Sequence, residues 1–218
     1  MAKKFLGTMF SASILACGLM IGSLPGEAAI LYSVKVDTSL LPNGTTGNIN
    51  FQFNPGGGSQ AASASLSNFA TNGTLGGAPT LTGDVSGALP GTLTFGNSSG
   101  FNDYFQGFTF GSSYSFLLSL YGPAIDAPNG TATSGTTFGI ALFDASGTNP
   151  LLTTDPFGFA AMADINLNGS ISLTLFSPDG QAGSVVSFTE VPEPATGILA
   201  GVSILAAFLV RRRPVMKS

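Results

Sequence analysis

The stretch Y-S-F-L-L-S-L at residues 114 to 120 decides the fold class of this chain. Its large apolar side chains Tyr114, Phe116, Leu118 and Leu120 recur at every second position. Side chains on a β-strand alternate between two faces, whereas a helix brings every third or fourth residue together. The stretch is therefore predicted to be a strand with one buried face.

The same period of two recurs in short runs on both sides of this stretch. Ser, Thr and Asn fill most of the alternate positions. Asn-Gly pairs beginning at Asn43, Asn72, Asn129 and Asn168 separate several of the runs and tolerate the positive φ that tight turns require. The runs are Tyr32, Val34, Val36; Ile49, Phe51, Phe53; Leu93, Phe95; Phe138, Ile140, Leu142; Ile165, Leu167; Ile171, Leu173, Leu175; and Val186, Phe188.

Short strands at about ten-residue spacing, with no helical segment between them, predict an all-β domain. We expect an antiparallel β-sandwich of jelly-roll-like form over residues 29–190. Residues 61–70 are the ambiguous part of this domain. The alternation of Ala62, Ala64 and Leu66 favours a strand there over a helix.

The predicted domain is acidic. From residue 29 to residue 190, Lys35 is the only basic residue against nine acidic ones, and the whole chain contains no His. Nucleic acid is therefore not expected as a partner, because a phosphate backbone is bound through basic residues. The absence of His also argues against Ser-His-Asp catalysis and histidine metal sites.

An export signal is predicted at residues 1–28. Lys3 and Lys4 precede a long apolar run that would form a helix, and small residues precede a cut after Ala28. The lone Cys17 lies inside the apolar run, which continues beyond it. We therefore expect Cys17 to be removed with the signal rather than to carry a lipid.

A second apolar run lies in the C-terminal segment, residues 191–218. A V-P-E-P motif leads into about sixteen uncharged residues, and an arginine cluster follows them. As a helix this run spans roughly 24 to 26 Å, enough for a transmembrane segment with its arginines on the cytoplasmic side. The prolines keep the motif extended just outside the inner membrane. The motif residues are Val191, Pro192, Glu193 and Pro194, and the membrane-stop residues are Arg211, Arg212 and Arg213.

The order of Pro-Glu-Pro, short apolar span and arginine cluster resembles the PEP-CTERM sorting signal of Gram-negative bacteria that make extracellular polysaccharide. The resemblance implies recognition by exosortase, a membrane cysteine transpeptidase that would release or re-anchor the protein. It also implies delivery to the cell surface or extracellular matrix. The body, including L-Y-S-V-K-V-D-T-S at residues 31–39, is similar to that of a group of all-β PEP-CTERM proteins, and this similarity carries no catalytic residues.

G-N-S-S-G at residues 96–100 matches the nucleophile elbow of hydrolases by letter. That elbow needs a strand-to-helix turn and a His base, and neither is predicted here, so a loop is the better interpretation. The acidic residues of the body mostly occur singly beside turn residues, which argues against the paired carboxylates of a glycan hydrolase. We expect no enzyme activity, with a secreted glycan hydrolase as a weaker alternative.

D-I-N-L-N-G at residues 164–169 fits the opening of a calcium-binding loop. Leu175 stands at the twelfth position, where such a loop needs a Glu. The apolar alternation on both sides of the Asn-Gly pair favours a hairpin. Calcium bound through Asp164, Asn166 and Asn168 is the alternative.

An aromatic cluster lies at residues 101–110. Phe dominates the cluster, which favours core packing over sugar stacking. Tyr104 and Phe105 are adjacent, so they cannot both point inward from a regular strand; one of them is exposed or at a bulge. A glycan contact through Tyr104 and Phe105 is the alternative, and it would make the domain a carbohydrate-binding module.

Together these patterns predict an exported, non-enzymatic protein of the envelope or extracellular matrix. Its expected partners are exosortase, the inner membrane before processing, and exopolysaccharide. No cofactor is expected.

Overall fold

The computed structural model describes residues 29–192, and in this range the protein is all-β, as predicted. Thirteen strands form two antiparallel sheets. The strands are β1 (Ile30–Asp37), β2 (Thr46–Pro55), β3 (Ser63–Thr71), β4 (Thr74–Leu75), β5 (Thr80–Thr82), β6 (Val85–Gly87), β7 (Leu93–Gly96), β8 (Asp103–Thr109), β9 (Ser113–Tyr121), β10 (Thr136–Asp144), β11 (Phe159–Ile165), β12 (Ile171–Leu175) and β13 (Val186–Glu190).

The two sheets are built around two long strands. The six-stranded sheet has the order β13-β1-β9-β3-β7-β6, and the stretch at residues 114 to 120 lies in β9, between β1 and β3. The seven-stranded sheet has the order β12-β11-β10-β2-β8-β4, with β5 also paired to β8. In this second sheet β2 has the corresponding place, between β10 and β8.

The core lies between the two sheets and is rich in aromatic rings. Phe51 of β2 packs edge-on against Phe116 of β9, with ring centroids 5.3 Å apart. Phe95 of β7 packs in the same way against Phe138 of β10, at 6.1 Å. All four side chains are at most 2% exposed. Because burying each such ring stabilises the fold by about 1.5–3 kcal/mol, this layer is a main source of stability.

The ambiguous segment at residues 61–70 contributes to β3, which confirms the prediction of a strand. Ala64 and Leu66 are fully buried, and the alternating serines Ser63, Ser65 and Ser67 point to the opposite face. Leu66 lies opposite Leu118 of β9, which is also fully buried. The period of two therefore predicted the strand correctly, although the alanines of this segment have a high helix propensity.

One short helix contradicts the prediction that no helical segment separates the strands. α1 (Pro123–Asp126) follows β9, where Gly122 has a φ of 105°, a conformation that favours glycine. Pro123 begins the helix, where its missing N–H is not needed. The N–H groups of Ile125 and Asp126 donate to the Gly122 carbonyl at 2.9 and 3.0 Å. Four residues are too few to show a helical period in the sequence.

β12 forms a hairpin with β11, as predicted, but its apolar face is not buried. Leu173 and Leu175 are 40% and 46% exposed, and Leu167 in the connecting turn is 51% exposed. Leu173 and Leu175 lie opposite the buried residues Ala163 and Ala161 of β11. β12 is the edge strand of its sheet. Its apolar side chains lie on the inner face of the sheet, but no other described residues bury them fully.

Several sequence predictions concern segments outside the described residues. The signal helix at residues 1–28 and the C-terminal membrane helix both lie there. Within residues 29–192, no helix is long enough and apolar enough to cross a membrane.

Candidate functional site

A row of polar side chains lies on the outer face of β2. The inward residues of this strand, Ile49, Phe51 and Phe53, are fully buried in the core. Because the side chains alternate, the residues between them point to the opposite face of the sheet. These outward residues all carry side-chain amides and are called the amide row here: Asn48, Asn50, Gln52 and Asn54.

Three members of the amide row are joined by hydrogen bonds that run in one direction along the strand. Asn54 Nδ2 donates to Gln52 Oε1 at 2.9 Å, and Gln52 Nε2 donates to Asn50 Oδ1 at 2.9 Å. Asn50 Nδ2 donates to Asp103 Oδ1 on β8. At the other end, the main-chain N–H of Asn102 donates to Asn54 Oδ1 at 2.8 Å. The row is therefore an ordered chain of amides that ends on a carboxylate.

The carboxylate of Asp103 is buried at the end of this chain. Its residue is 9% exposed, and burial raises the pKa of the carboxyl above its ordinary value, while the hydrogen bond from Asn50 acts in the opposite direction. Asn50 itself is 2% exposed and also donates to the main-chain oxygen of Tyr104 at 3.1 Å. The carboxyl end of the row is thus buried and hydrogen-bonded.

Two phenylalanine rings flank the amide row. Phe105 of β8 lies opposite Asn50, and Phe143 of β10 lies opposite Asn48. Their ring centroids are 6.1 Å apart with an interplanar angle of 41°, and both residues are half-buried. Asn48 Nδ2 donates to the main-chain oxygen of Asp144 at 2.7 Å, which ties the row to the loop after β10.

Of the two residues in the predicted glycan contact, only Phe105 is partly exposed. Tyr104 is fully buried; its hydroxyl donates to Gln106 Oε1 and accepts a hydrogen bond from the main-chain N–H of Leu89. A glycan contact through Tyr104 is therefore excluded. Phe105 is the outward member of the pair, as the alternation required. The inward choice for Tyr104 follows from its register opposite Phe51.

The candidate calcium residues are engaged in hydrogen bonds within the protein. Asp164 Oδ1 accepts a hydrogen bond from Thr137 Oγ1 on β10, and Asn168 Oδ1 accepts one from Ser170 N at 3.1 Å. Asn166 N donates to Ser170 O at 2.9 Å, which closes the hairpin turn. The hairpin interpretation is confirmed. Within residues 29–192, no three His, Cys, Asp or Glu residues are grouped so that they could hold a metal ion.

The G-N-S-S-G segment forms a loop that connects β7 with β8, and a strand rather than a helix follows it. Ser98 Oγ donates to Asp84 Oδ2 at 2.6 Å. A nucleophile elbow is therefore excluded at this position, in agreement with the loop prediction.

The start of the sorting motif lies directly against the folded body. β13 ends at Glu190, and the N–H of Val191 donates to Leu31 O on β1 at 2.8 Å. Pro192 is the last described residue. Glu193, Pro194 and the membrane-stop residues Arg211, Arg212 and Arg213 lie outside the described range.

Residues 190–213 match the family model of the PEP-CTERM protein-sorting motif. The chain carries a PEP-CTERM sorting signal. This signal implies export, a membrane-anchored C-terminal segment before processing, and exosortase as the processing partner. Comparison with curated proteins and with solved structures finds no match.

The amide row was missed by the sequence analysis, which used only the apolar half of β2. The signal was present in G-N-I-N-F-Q-F-N at residues 47–54, where an amide stands at every second position. Four consecutive amides on one face of a strand are unusual, because Asn is disfavoured in strands. An amide period of two is therefore the pattern that would have located this site.

Proposed function

We propose that this PEP-CTERM protein is a non-enzymatic component of the cell surface or extracellular matrix that binds exopolysaccharide through the amide row and its flanking rings. The observation that carries the proposal is the hydrogen-bonded row of outward amides beside Phe105 and Phe143. Such a face combines the two kinds of contact that a sugar offers, hydroxyl groups and apolar ring faces.

The amides retain capacity for a ligand. A side-chain amide has two N–H donors and a carbonyl oxygen with two lone pairs. The bonds within the row engage one donor of Gln52 and one of Asn54. The remaining donors and lone pairs can bind sugar hydroxyls without breaking the row, and a fixed row loses little side-chain entropy on binding.

The flanking rings supply the apolar part of the contact. Phe105 and Phe143 are half-buried, so each ring is held by the protein and still presents an exposed part. Aromatic faces pack against the apolar faces of ligands, while nearby polar groups fix orientation. This is the arrangement expected of a carbohydrate-binding module.

A binding role without catalysis agrees with how the carboxylates are used. Asp84, Asp103 and Asp164 each accept a hydrogen bond from a different side chain. A glycan hydrolase would instead need two carboxyl groups facing one bond. The secreted hydrolase remains an alternative that no contact in the described residues favours.

The jelly-roll-like form is part of the same proposal. Successive strands cross between the two sheets at eight of the twelve connections, including those from β1 to β2, from β2 to β3, from β8 to β9 and from β9 to β10. Repeated crossing between two sheets is typical of Greek-key sandwiches, and several lectin domains have this architecture.

The test is retention of the secreted protein by the exopolysaccharide of a bacterium with an exosortase, measured by affinity gel electrophoresis. We expect Phe105→Ala and Gln52→Ala each to weaken retention by about tenfold, the effect of losing roughly 1.4 kcal/mol. Leu40→Ala, at a site 52% exposed between β1 and β2, serves as the control and should bind normally. Equal binding by all four proteins would refute the site, and glycan turnover lost in single Asp variants would favour the hydrolase.

A further inference from the structure

The free edge of β12 is used by neither the sorting signal nor the amide row. β12 pairs with β11 on one side, and no described strand pairs with its other side. We propose that this edge pairs with the same edge of a second copy, antiparallel, about a two-fold axis at Leu173. The two seven-stranded sheets then form one continuous sheet.

The other sheet edges of the described residues carry features that oppose such pairing. β4, β5 and β6 have two or three residues each, and Asp84 directly precedes β6. β13 ends in Glu190. Short strands and charged residues are the usual protections of an edge, together with Pro and bulges. β12 has five residues, no charge and no Pro, and its register with β11 continues without a shift.

The sequence of β12 is complementary to itself when two copies run antiparallel. A two-fold axis at Leu173 places Ile171 opposite Leu175 of the copy and Ser172 opposite Thr174, so apolar residues meet apolar ones and polar residues meet polar ones. Leu173 lies opposite its own copy. The exposed part of Leu173, 40%, would be covered by Leu173 of the partner, and that of Leu175, 46%, by Ile171 of the partner.

Charge also favours a second copy at this edge. The body carries nine acidic residues against one lysine, so most approaches between two copies bring carboxylates together. β12 carries no charge, and its outward polar residues Ser172 and Thr174 are neutral. Two copies that pair along β12 therefore meet with little electrostatic repulsion at the contact.

The edge is held in position by the rest of the fold. The turn before β12 is closed by the hydrogen bond from Asn166 N to Ser170 O. Gly169 in this turn, with a φ of 80°, lies against α1, where an added Cβ would come within 2.8 Å of the Ile125 carbonyl oxygen. A preformed strand loses little conformational freedom on pairing. Such a pair would also place both amide rows on the same side of the continuous sheet.

Disulfide cross-linking in cells tests both the pairing and its register. The full chain with Cys17→Ser and Leu173→Cys is exported into the oxidising envelope, where disulfides form. Residues directly opposite each other have Cβ atoms about 4.5–5.5 Å apart, close enough to form a disulfide without large movement. We expect the covalent dimer on a non-reducing gel to be at least about fivefold more abundant than in the controls.

Two controls accompany this variant. Ser172→Cys is on the same edge. In the proposed register, residue 172 of one copy lies diagonally from residue 172 of the other, at about 7–8 Å, which is too far for an easy disulfide. Leu40→Cys is the second control, because Leu40 is 52% exposed and does not belong to β12. Equal dimer in all three variants, or more dimer from Ser172→Cys than from Leu173→Cys, would overturn the proposal.

A charge on the edge provides the second test. Leu173→Lys should raise the dissociation constant of the dimer about tenfold or more, since two lysines would then lie opposite each other. Leu40→Lys should leave the constant unchanged. The measurement is sedimentation equilibrium of the full chain in detergent, with circular dichroism to show that both variants keep their sheet content. A monomeric wild-type chain, or no difference between the variants, would overturn the proposal.

Discussion

Strands β2 and β12 belong to the same sheet and show the same alternation in sequence, yet their apolar faces have opposite fates. Phe51 in β2 is fully buried against Phe116 of the other sheet, whereas Leu173 in β12 is 40% exposed. β2 lies between two strands and β12 at an edge. The comparison shows that alternation specifies which face is apolar, and that position in the sheet decides whether this face is covered.

The largest expected effect comes from truncating the two apolar faces in parallel. Phe51→Ala should lower the free energy of unfolding by about 3–5 kcal/mol, since it removes a buried ring and leaves a cavity. Leu173→Ala should cost less than about 1 kcal/mol, because the side chain is already partly in water. Urea denaturation of the processed protein, followed by circular dichroism, checks both values. The measurement is made at a protein concentration at which the chain is monomeric, and comparable losses from the two variants would contradict the comparison.

The polar faces of the two strands give the next effect. Asn50→Ala should cost about 1–3 kcal/mol, since it leaves the buried carboxylate of Asp103 without its side-chain donor. Ser172→Ala, on the outward face of β12, should change the free energy of unfolding by less than about 0.5 kcal/mol. The same denaturation experiment applies. A neutral Asn50→Ala would mean that the amide row contributes nothing to the stability of β2.

The smallest effect concerns pH. Because burial raises the pKa of Asp103, the folded state holds its proton more tightly than the unfolded state. Its contribution therefore makes the fold less stable as the pH rises from about 4, the ordinary value, through the raised pKa. Asp103→Asn should remove this decline and gain less than about 1 kcal/mol relative to wild type at pH 7, because the amide keeps an acceptor for Asn50. β12 has no titratable group, so Leu173→Ala should leave the pH profile unchanged.

The comparison also explains which features of the fold could be predicted from the sequence. The fold class, the strand at residues 61–70 and the hairpin at Asn168-Gly169 depend on local period and turn chemistry, and all three are confirmed. Whether Tyr104 or Phe105 points inward depends on register with β2, which is a contact between distant residues. The local sequence pattern could predict only that one of the two side chains points inward.

The site was less predictable than the fold for the same reason. Phe105 was selected as a possible glycan contact from its aromatic neighbours, but its real partner, Phe143, lies across β2 on another strand. The link between Asn50 and Asp103 joins residues that are 53 positions apart in the chain. Only the sorting signal is contiguous in sequence, and it is also the part of the functional prediction that comparison with known families confirms.

The pairing of β1 with β13 has a topological consequence. Tyr32 lies opposite Glu190, and the N–H of Val191 donates to the Leu31 carbonyl, so the start of β1 and the end of β13 are neighbours in the six-stranded sheet. The two ends of the β-domain therefore lie close together. A short flexible linker between residues 191 and 30 would join these two ends. New ends could then be opened at the exposed turn Asp179-Gly180, and we expect the circular permutant to keep both sheets.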